Sequence, residues 1–306
     1  MKTPLAEQGE GEQLRLAPGA DPDDLISEAK ARWNPIKTYC LFSGGNDSAA
    51  LAHRCHSHYD ALCYVDTGTA VEEGRGGPGV LAHVRGVAAW LEKPLVVMRA
   101  GDAYRKMVLG GQIVRRGTLA GTREPGHGFP GPGQHGKAYS RLKERQLEEL
   151  VRRAKRGYPR AAGVLLLSGV RRAESQRRAT RMPLTERGSR KFVNPLIDLS
   201  NQSISQYRRT HDLPQSDIAA LLCRSGECNC GAYSAAEDER AMLSAWFPRT
   251  WERIARLEAE AQAKGIRWCR WGGYDLAGNR ATDVSRERVG VLCEKCEQTS
   301  LFGETA

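Results

Sequence analysis

Two serines, two glycines and an aspartate lie within one short segment, Ser43-Gly44-Gly45-Asn46-Asp47-Ser48. An apolar run precedes this segment and an alanine-rich stretch follows it, which predicts a strand, a tight loop and a helix start. Glycines let the backbone approach an anion, while serine hydroxyls and the free N–H groups of a first helical turn donate hydrogen bonds to it. We therefore expect this glycine loop (residues 43–48) to bind a phosphate group. The GxxxxGK[ST] pattern is absent, so the loop is not an ordinary P-loop.

A second polar motif, residues 169–178, follows a predicted buried strand at 163–167. We call it the arginine motif, and its candidate binding residues are Gly169, Arg171, Glu174, Ser175 and Arg178. Arg171 and Arg178 suit bidentate contacts with phosphate or sulfate, and Glu174 can hold one of the two arginines in place. The alternative is a salt-bridged helix start on the surface, which needs no ligand.

The nine cysteines favour metal or redox chemistry, because a cytosolic chain rarely forms disulfides. Four of them form two short pairs that can close one tetrahedral site: Cys228, Cys230, Cys293 and Cys296. Sulfur ligands select zinc or an iron–sulfur cluster, and the spacing alone leaves both open. Cys223 is a further candidate ligand, with a persulfide-carrying nucleophile and an inert thiol as the alternatives.

Strands and helices must alternate to position these motifs. The hydrophobic pattern predicts strands at 37–42, 61–65, 95–99 and 163–167, with helices in the first two connections. Such an order predicts an α/β fold, in which a parallel sheet has helices on both faces and ligands bind at the carboxyl ends of the strands. We also predict single long helices at 137–156 and at 234–264.

Three regions are expected along the chain. Residues 1–20 are predicted to be a flexible tail, residues 21–215 a nucleotide-binding domain, and residues 216–306 a helical, cysteine-rich metal subdomain. No apolar run is long enough to span a membrane, and the first residues lack an apolar signal region. A cytoplasmic protein is therefore expected.

The net charge of +10 is concentrated in one part of the chain, the basic block at residues 141–191. It contains 16 Lys or Arg against 5 Asp or Glu, so the block carries +11 and the rest of the chain −1. Such a block next to a nucleotide site predicts a nucleic-acid partner. The alternative is a solvated helix face together with the arginines that a nucleotide needs.

Four motifs in order give a family resemblance over about residues 35–232. The glycine loop, Asp66-Thr67-Gly68 after the second strand, the arginine motif and Pro195-Leu196-Ile197-Asp198 resemble the PAPS reductase family. That family belongs to the PP-loop superfamily, whose adenine nucleotide alpha hydrolase-like fold is an α/β sheet. The resemblance implies that the glycine loop and the arginine motif hold the phosphate end of an adenine nucleotide.

The resemblance also implies individual roles. The implied catalytic residues are Asp47, Lys143, Arg171 and Arg178, with Lys143 taken from a matching Leu-Lys pair. The implied nucleotide-binding residues are Ser43, Gly44, Gly45, Asn46, Asp47, Ser48, Asp66, Thr67, Gly68, Gly169, Arg171, Glu174, Ser175 and Arg178. Implied cofactors are Mg²⁺ and a [4Fe–4S] cluster, with Zn²⁺ as the alternative to the cluster.

Two departures bear on the reaction. Thioredoxin-dependent reductases end in an ECGxH-type motif, whereas this chain ends LCEKCEQTSLFGETA without a histidine. The cysteine that many relatives carry before Leu-Lys is also missing, since Ala138 and Tyr139 stand there. An intact SGGxDS loop favours the branch that uses ATP, which includes enzymes of DNA phosphorothioation and tRNA thiolation.

The expected function is therefore ATP-dependent sulfur transfer. The chain would adenylate an acceptor with release of pyrophosphate, and a sulfur donor protein would supply the sulfur. One alternative is a sulfonucleotide (PAPS or APS) reductase, which releases sulfite without ATP. Another is a nucleic-acid-binding zinc protein without catalysis.

Overall fold

Six strands form one sheet within the residues that the computed structural model describes, which are 21–114, 117–174, 178–234 and 236–272. The strand order across the sheet is β3-β2-β1-β4-β6-β5. The strands are β1 Lys37–Leu41, β2 Ala61–Asp66, β3 Leu95–Arg99, β4 Val164–Leu167, β5 Leu184–Arg187 and β6 Arg190–Val193. The order reverses between β1 and β4, and a switch point of this kind opens a crevice at the carboxyl ends of the two strands.

The predicted parallel sheet is confirmed, with one addition. All neighbouring strands run parallel except β5 and β6, which form an antiparallel hairpin at the edge. The sequence pattern did not predict β5, because its residues are mostly exposed and lack an apolar alternation. Exposed, charged residues are common on edge strands, where they discourage pairing with another chain.

Helices cover both faces of the sheet, which confirms the predicted α/β class. The described α-helices are α1 Pro22–Trp33, α2 Asn46–Arg54, α3 Val80–Trp90, α4 Ala103–Leu109, α5 His135–Tyr139, α6 Arg145–Ala154, α7 Asn201–Thr210, α8 Asp217–Leu222, α9 Ala236–Trp246 and α10 Pro248–Ala263. Alternate residues of β1 enter two different cores: Cys40 packs with α1, α2 and α3, whereas Tyr39 packs with α6. This alternation is the two-residue period of a strand that is buried on both sides. No helix of the described residues is both long and apolar enough to cross a membrane.

The helix predicted at 137–156 is confirmed, with a π-helical turn in its middle, whereas the helix predicted at 234–264 is broken, so that prediction was wrong. Residues 137–156 form α5, a π-helical turn at Ser140–Glu144 and then α6. Residues 234–264 form α9 and α10, which are separated at Phe247. Pro248 explains this break, because its ring excludes a continuing helix but suits the first position of a new one.

The second half of the chain packs against the first. Ile218, Leu243 and Phe247 belong to the same buried core as the sheet and its first helices. The domain boundary at residue 215 therefore stays a prediction, because a shared core neither requires nor forbids a separate evolutionary unit. The predicted tail at 1–20 lies outside the described residues.

Gly68 is expected to resist substitution. Its φ of +75° is unfavourable for other residues, and a Cβ there would lie 2.7 Å from the carbonyl oxygen of Gly101. Gly68→Ala should lower the free energy of unfolding by about 2 kcal/mol. Gly86→Ala is the matched control, since Gly86 lies in α3 with open space around it. This variant should raise the free energy of unfolding by about 0.5–1 kcal/mol. Urea unfolding of both variants measures the difference, and equal effects would contradict this account of Gly68.

His53 lies in an aromatic cluster where α2, α3 and α7 meet. Its Nδ1 is 2.9 Å from the hydroxyl of Tyr207, and its ring stacks on Trp90 at a centroid distance of 5.6 Å. Burial, followed by the nearby His211 and His56, lowers the pKa of His53 to about 4. The folded protein therefore keeps this imidazole neutral at pH values where an unfolded chain would protonate it.

Folding stability should consequently fall as the pH is lowered from about 6.5 towards 4, because the unfolded state takes up the His53 proton first. At pH 7 and above, this contribution is fully present. His53→Gln removes the titrating group, so the variant should lose less stability between pH 7.5 and pH 5 than the wild type. Urea midpoints at the two pH values test this, and equal shifts in both proteins would exclude His53 as the cause.

Candidate functional site

The glycine loop connects β1 to α2 at the switch point of the sheet. Gly44 has a φ of +82°, and Gly45 is the N-cap of α2 without any side-chain capping bond. The N–H groups of the first turn of α2 are therefore left for another acceptor, and an anion fits that position. The hydroxyl of Ser48 donates to the carbonyl of Gly45 at 2.8 Å and lies 3.2 Å from the hydroxyl of Ser43. These two hydroxyls thus hold the loop closed.

Close packing fixes the two loop glycines. A Cβ on Gly44 would lie 3.3 Å from Val84 of α3, and a Cβ on Gly45 would lie 2.9 Å from the Cβ of Ser225. Ser225 belongs to the cysteine knuckle, which we define as residues 223–231. The knuckle therefore lies directly over the glycine loop.

A buried ion pair joins the arginine motif to the glycine loop. Nη2 of Arg171 is 3.0 and 3.1 Å from the two carboxylate oxygens of Asp47, and it also donates to Oδ1 of Asn201 at 2.8 Å. Nη1 donates to the carbonyl of Leu199 at 2.9 Å, and Arg171 as a whole is only 3% exposed. Gly169 lets the motif approach, because a Cβ there would lie 3.4 Å from the backbone of Asp47. Arg171 therefore holds the two motifs together.

Glu174 connects the remaining groups of the arginine motif. Its carboxylate accepts from the backbone N–H of Arg171 at 3.0 Å and forms an ion pair with Arg178. Burial raises the pKa of Asp47, and the nearby Glu174 raises it further, while Arg171 and Arg178 oppose the shift. The predicted site residue Ser175 lies outside the described residues.

Lys143 lies on the π-helical turn in the middle of the predicted long helix. Its ammonium forms an ion pair with Glu227 of the cysteine knuckle, and the Glu227 side chain is 9% exposed. Burial lowers the pKa of Lys143, and the neighbouring Arg178 lowers it further. π-Helical turns are often found at functional sites, since the extra residue displaces a side chain from its regular position.

Each implied phosphate-binding cation thus already has a carboxylate partner. The pairs are Arg171 with Asp47, Arg178 with Glu174, and Lys143 with Glu227. The Arg171 side chain is almost fully buried, whereas those of Arg178 and Lys143 are 32% and 22% exposed. Arg178 and Lys143 are therefore the cations that an incoming phosphate can reach.

The segment after β2 anchors the cysteine knuckle. The hydroxyl of Thr67 donates to the carbonyl of Glu227 at 2.7 Å, and the hydroxyl of Thr69 accepts from the N–H of Asn229 at 3.0 Å. Gly68 closes the turn by donating to Oδ1 of Asp66 at 3.0 Å. The predicted Asp66–Gly68 motif therefore lies at the site and positions the knuckle. Sequence reasoning missed Thr69 and Glu227, although Glu227 stands directly before Cys228.

The side chains of Cys228 and Cys230 are hydrogen-bonded to each other. A hydrogen bond from Cys230, together with Lys143, Thr69 and Arg224, lowers the pKa of Cys228 to about 6 against the opposing effect of burial. The same pairing raises the pKa of Cys230. Positive charge and hydrogen-bond donors around a partly exposed thiol are the usual conditions for a reactive cysteine or a metal ligand.

Two of the four predicted metal ligands, Cys228 and Cys230, lie within the described residues. Cys293 and Cys296 lie outside the described residues, and the described part of the chain contains no group of three or more His, Cys, Asp or Glu that could hold a metal ion. Cys223 ends α8 in a left-handed conformation with a φ of 52°. Three buried polar atoms on or beside the knuckle lack a hydrogen-bond partner among the described residues: Arg224 Nε, Asn229 Nδ2 and Ser234 Oγ. Adjacent thiols with spare donors fit a group that presents sulfur acceptors.

Most cations of the basic block are neutralised within the protein. Ion pairs link Arg141 to Glu124, Lys143 to Glu227, Arg152 and Arg153 to Glu149, Arg171 to Asp47, Arg172 to Asp198, Arg178 to Glu174, Arg187 to Glu144, Arg190 to Glu148, and Lys191 to Glu186. Of the cations without an ion pair to any described residue, Lys155, Arg156 and Arg160 precede β4. They therefore lie near the opposite edge of the parallel sheet from the glycine loop, and a nucleic-acid partner stays a prediction.

Comparisons with known proteins show similarity to solved structures but to no family model. No protein-family model matches the chain, and no curated protein matches it. Among solved structures, the chain is similar to phosphoadenylyl-sulfate (PAPS) reductase from Candida auris in its phosphate complex. The two share 14% sequence identity, and the match covers 66% of this chain and 85% of the other with a TM-score of 0.43. A similarity at this level carries no argument about substrate or reaction.

Glu227→Gln tests whether Glu227 competes with phosphate for Lys143. Neutralising Glu227 frees a cation beside the glycine loop, so pyrophosphate should bind about 3- to 10-fold more tightly, or about 1 kcal/mol. Calorimetric titration measures this affinity, and a thermal melt confirms that the variant is folded. Glu124→Gln is the matched control, because it frees Arg141 two residues away and should leave the affinity unchanged. An unchanged affinity in folded Glu227→Gln would contradict the competition.

Proposed function

We propose that this chain binds ATP at the glycine loop and adenylates an acceptor, with release of pyrophosphate, as the first step of sulfur transfer. The observation that carries the proposal is the meeting of three features at one sheet edge. These features are an uncapped helix N-terminus, two reachable cations, and a pair of thiols in the knuckle that packs on the loop through Ser225. The first two suit a nucleotide, and the third suits sulfur chemistry.

In the first step, an oxygen of the acceptor attacks the α-phosphorus of ATP and pyrophosphate leaves. The N–H groups at the start of α2 stabilise negative charge on the departing phosphates. Lys143 and Arg178 exchange their carboxylate partners for phosphate oxygens and hold the charge that grows in the transition state. Arg171 is a positioning residue, because its buried bonds hold Asp47 and the loop in place.

Mg²⁺ fits the carboxylates at this site. Asp47 and Glu174 supply oxygen ligands beside the loop, and both side chains are 23% exposed. When bound, the ion neutralises charge on the leaving pyrophosphate. Burial raises the pKa of Asp47 although Arg171 and Arg178 oppose the shift, and a bound cation would oppose it further.

In the second step, a sulfur nucleophile attacks the activated carbon of the acceptor, and the bond between that carbon and the adenylate oxygen breaks. AMP leaves, and sulfur takes the place of the acceptor oxygen. Contact between Gly45 and Ser225 supports this reaction sequence, because it puts the cysteine knuckle beside the nucleotide loop. A [4Fe–4S] cluster, or zinc, held by Cys228, Cys230, Cys293 and Cys296 would supply a binding site for the sulfur that a donor protein delivers.

The thiol pair also favours a second candidate, a sulfonucleotide reductase. The Cys228 thiolate would attack the sulfur of the nucleotide's sulfonate group, and the nucleotide would leave through its phosphate oxygen. Cys230 would then attack Cys228, form a disulfide and release sulfite, and an external thiol would reduce the disulfide. The low pKa of Cys228 and its partner Cys230 are the observations that favour this reaction.

Parallel calorimetric titrations of anaerobically purified protein with ATP, APS and PAPS in the presence of Mg²⁺ distinguish the two candidates. We expect ATP to bind at least tenfold more tightly than either sulfonucleotide, a difference of about 1.4 kcal/mol. Arg178→Gln should weaken ATP binding about tenfold or more, because it removes a charge-assisted contact. Arg181→Gln, which changes a neighbouring arginine without an ion pair to described residues, is the control.

A preference for APS or PAPS, followed by release of sulfite, would overturn ATP-dependent adenylation in favour of the reductase. Tight ATP binding that is insensitive to Arg178→Gln would place the nucleotide elsewhere and overturn the site.

A further inference from the structure

A cleft separate from the glycine loop opens where the ends of β2 and β3 meet α4 and α10. Its volume is about 260 Å³, and it is lined by Gly68, Thr69, Gly101, Asp102, Tyr104, Arg105, Phe129, Asn229, Arg253, Ile254, Arg256, Leu257 and Glu260. Gly101 has a φ of +59°, and no atom lies within 4 Å of the position of a Cβ there. The floor of this side cleft is therefore open backbone at the carboxyl edge of the sheet, where α/β proteins bind ligands.

The walls of the side cleft expose mostly apolar surface, and three arginines line them. Tyr104, Phe129 and Leu257 supply rings and aliphatic surface. Two of the three lining arginines are paired, Arg105 with Glu260 and Arg253 with Glu72. Arg256 is exposed and forms no ion pair with any described residue. Apolar walls with one free guanidinium suit a small molecule that carries an anionic group.

The side cleft lies next to the thiol pair. Asn229, which lines the cleft, is the residue between Cys228 and Cys230. The hydroxyl of Tyr104 donates to the carbonyl of Cys230 at 2.8 Å, and Thr69 hydrogen-bonds the Cys228 side chain. A molecule bound in the cleft would therefore be separated from the sulfur atoms only by Thr69, Tyr104 and Asn229.

We propose that the side cleft binds a small molecule with an apolar ring and a carboxylate or phosphate group, which Arg256 pairs. If the adenylation described above is the reaction, this molecule is the acceptor, and that role rests on the proposed function. The dimensions favour a small molecule over a polymer, since the cleft holds about 260 Å³. Charge favours it too, because Lys155, Arg156 and Arg160 lie near the opposite sheet edge.

Ligand-observed NMR titration of the full chain with matched probes tests the proposal. Benzoate is compared with benzyl alcohol, and phenyl phosphate with phenol, so that each pair differs mainly in charge. At least one anionic probe should bind about tenfold more tightly than its neutral counterpart, the ratio expected for one charge-assisted hydrogen bond. Equal binding within both pairs, or no binding by any probe, would overturn the proposal.

Variants of two exposed cations on or near α10 test whether the anionic probe binds next to Arg256. Arg256→Gln should weaken binding of the anionic probe about tenfold, and Arg256→Lys should restore part of the affinity because the charge is kept. Lys264→Gln, which removes an exposed cation near the end of α10, should leave the affinity unchanged. All three changes are at exposed positions, so the variants should fold. Equal effects of Arg256→Gln and Lys264→Gln would show only general attraction to positive charge and would overturn the assignment.

Competition separates the side cleft from the nucleotide site. ATP should not displace the anionic probe, and a single-stranded 12-mer oligonucleotide should not displace it either. Displacement by ATP would mean that the cleft belongs to the nucleotide, and displacement by the oligonucleotide would mean that a polymer is the ligand. If the protein binds the probe but not ATP, the side cleft is supported as a binding site and the adenylation proposal is overturned. If the protein binds ATP and releases pyrophosphate but binds no probe, adenylation is supported and the side-cleft proposal is overturned.

Discussion

The buried ion pair between Arg171 and Asp47 is the interaction on which the candidate site depends. It connects the loop after β1 to the loop after β4, the two strands between which the sheet order reverses. Removing one member of a buried pair leaves an uncompensated charge, which typically costs about 3–5 kcal/mol. Because Arg171 also binds Leu199 and Asn201, it additionally fixes the start of α7. A residue with so many buried bonds acts by holding the site together and is poorly placed to move with a ligand.

Opposite charges at the site are arranged in pairs whose exposure differs. The Arg171 side chain is 4% exposed, whereas that of Arg178 is 32% exposed and can exchange its partner for a phosphate. Lys143 is intermediate, and its partner Glu227 belongs to the cysteine knuckle. A phosphate that takes Lys143 must therefore release a carboxylate from the same segment that carries the thiols. Phosphate binding at Lys143, as proposed above, would thus be coupled to the position of Cys228 through one ion pair.

Sequence patterns predicted the parts of the fold that repeat and missed the parts that depend on distant contacts. The four predicted strands follow from local hydrophobic patterns and were confirmed. The exposed hairpin strand β5 lacks an apolar period, and no local signal predicts the π-helical turn that carries Lys143. The glycine loop and the arginine motif could be recognised in the sequence, but the pairing of each cation with a carboxylate could not be predicted from it. No sequence signal indicated the side cleft either, since its walls come from five separate segments of the chain.

Residues between the cysteines explain how one short segment can serve two neighbouring sites. Ser225 packs on the glycine loop, Glu227 pairs with Lys143, and Asn229 lines the side cleft. These three residues alternate with Gly226, Cys228 and Cys230, and Gly226 turns the segment with a φ of +67°. Thr67 and Thr69 hold this arrangement from below through hydrogen bonds to the knuckle. The knuckle consequently contacts the glycine loop through Ser225 and the side cleft through Asn229, so that a displacement of the knuckle on one side would be felt on the other.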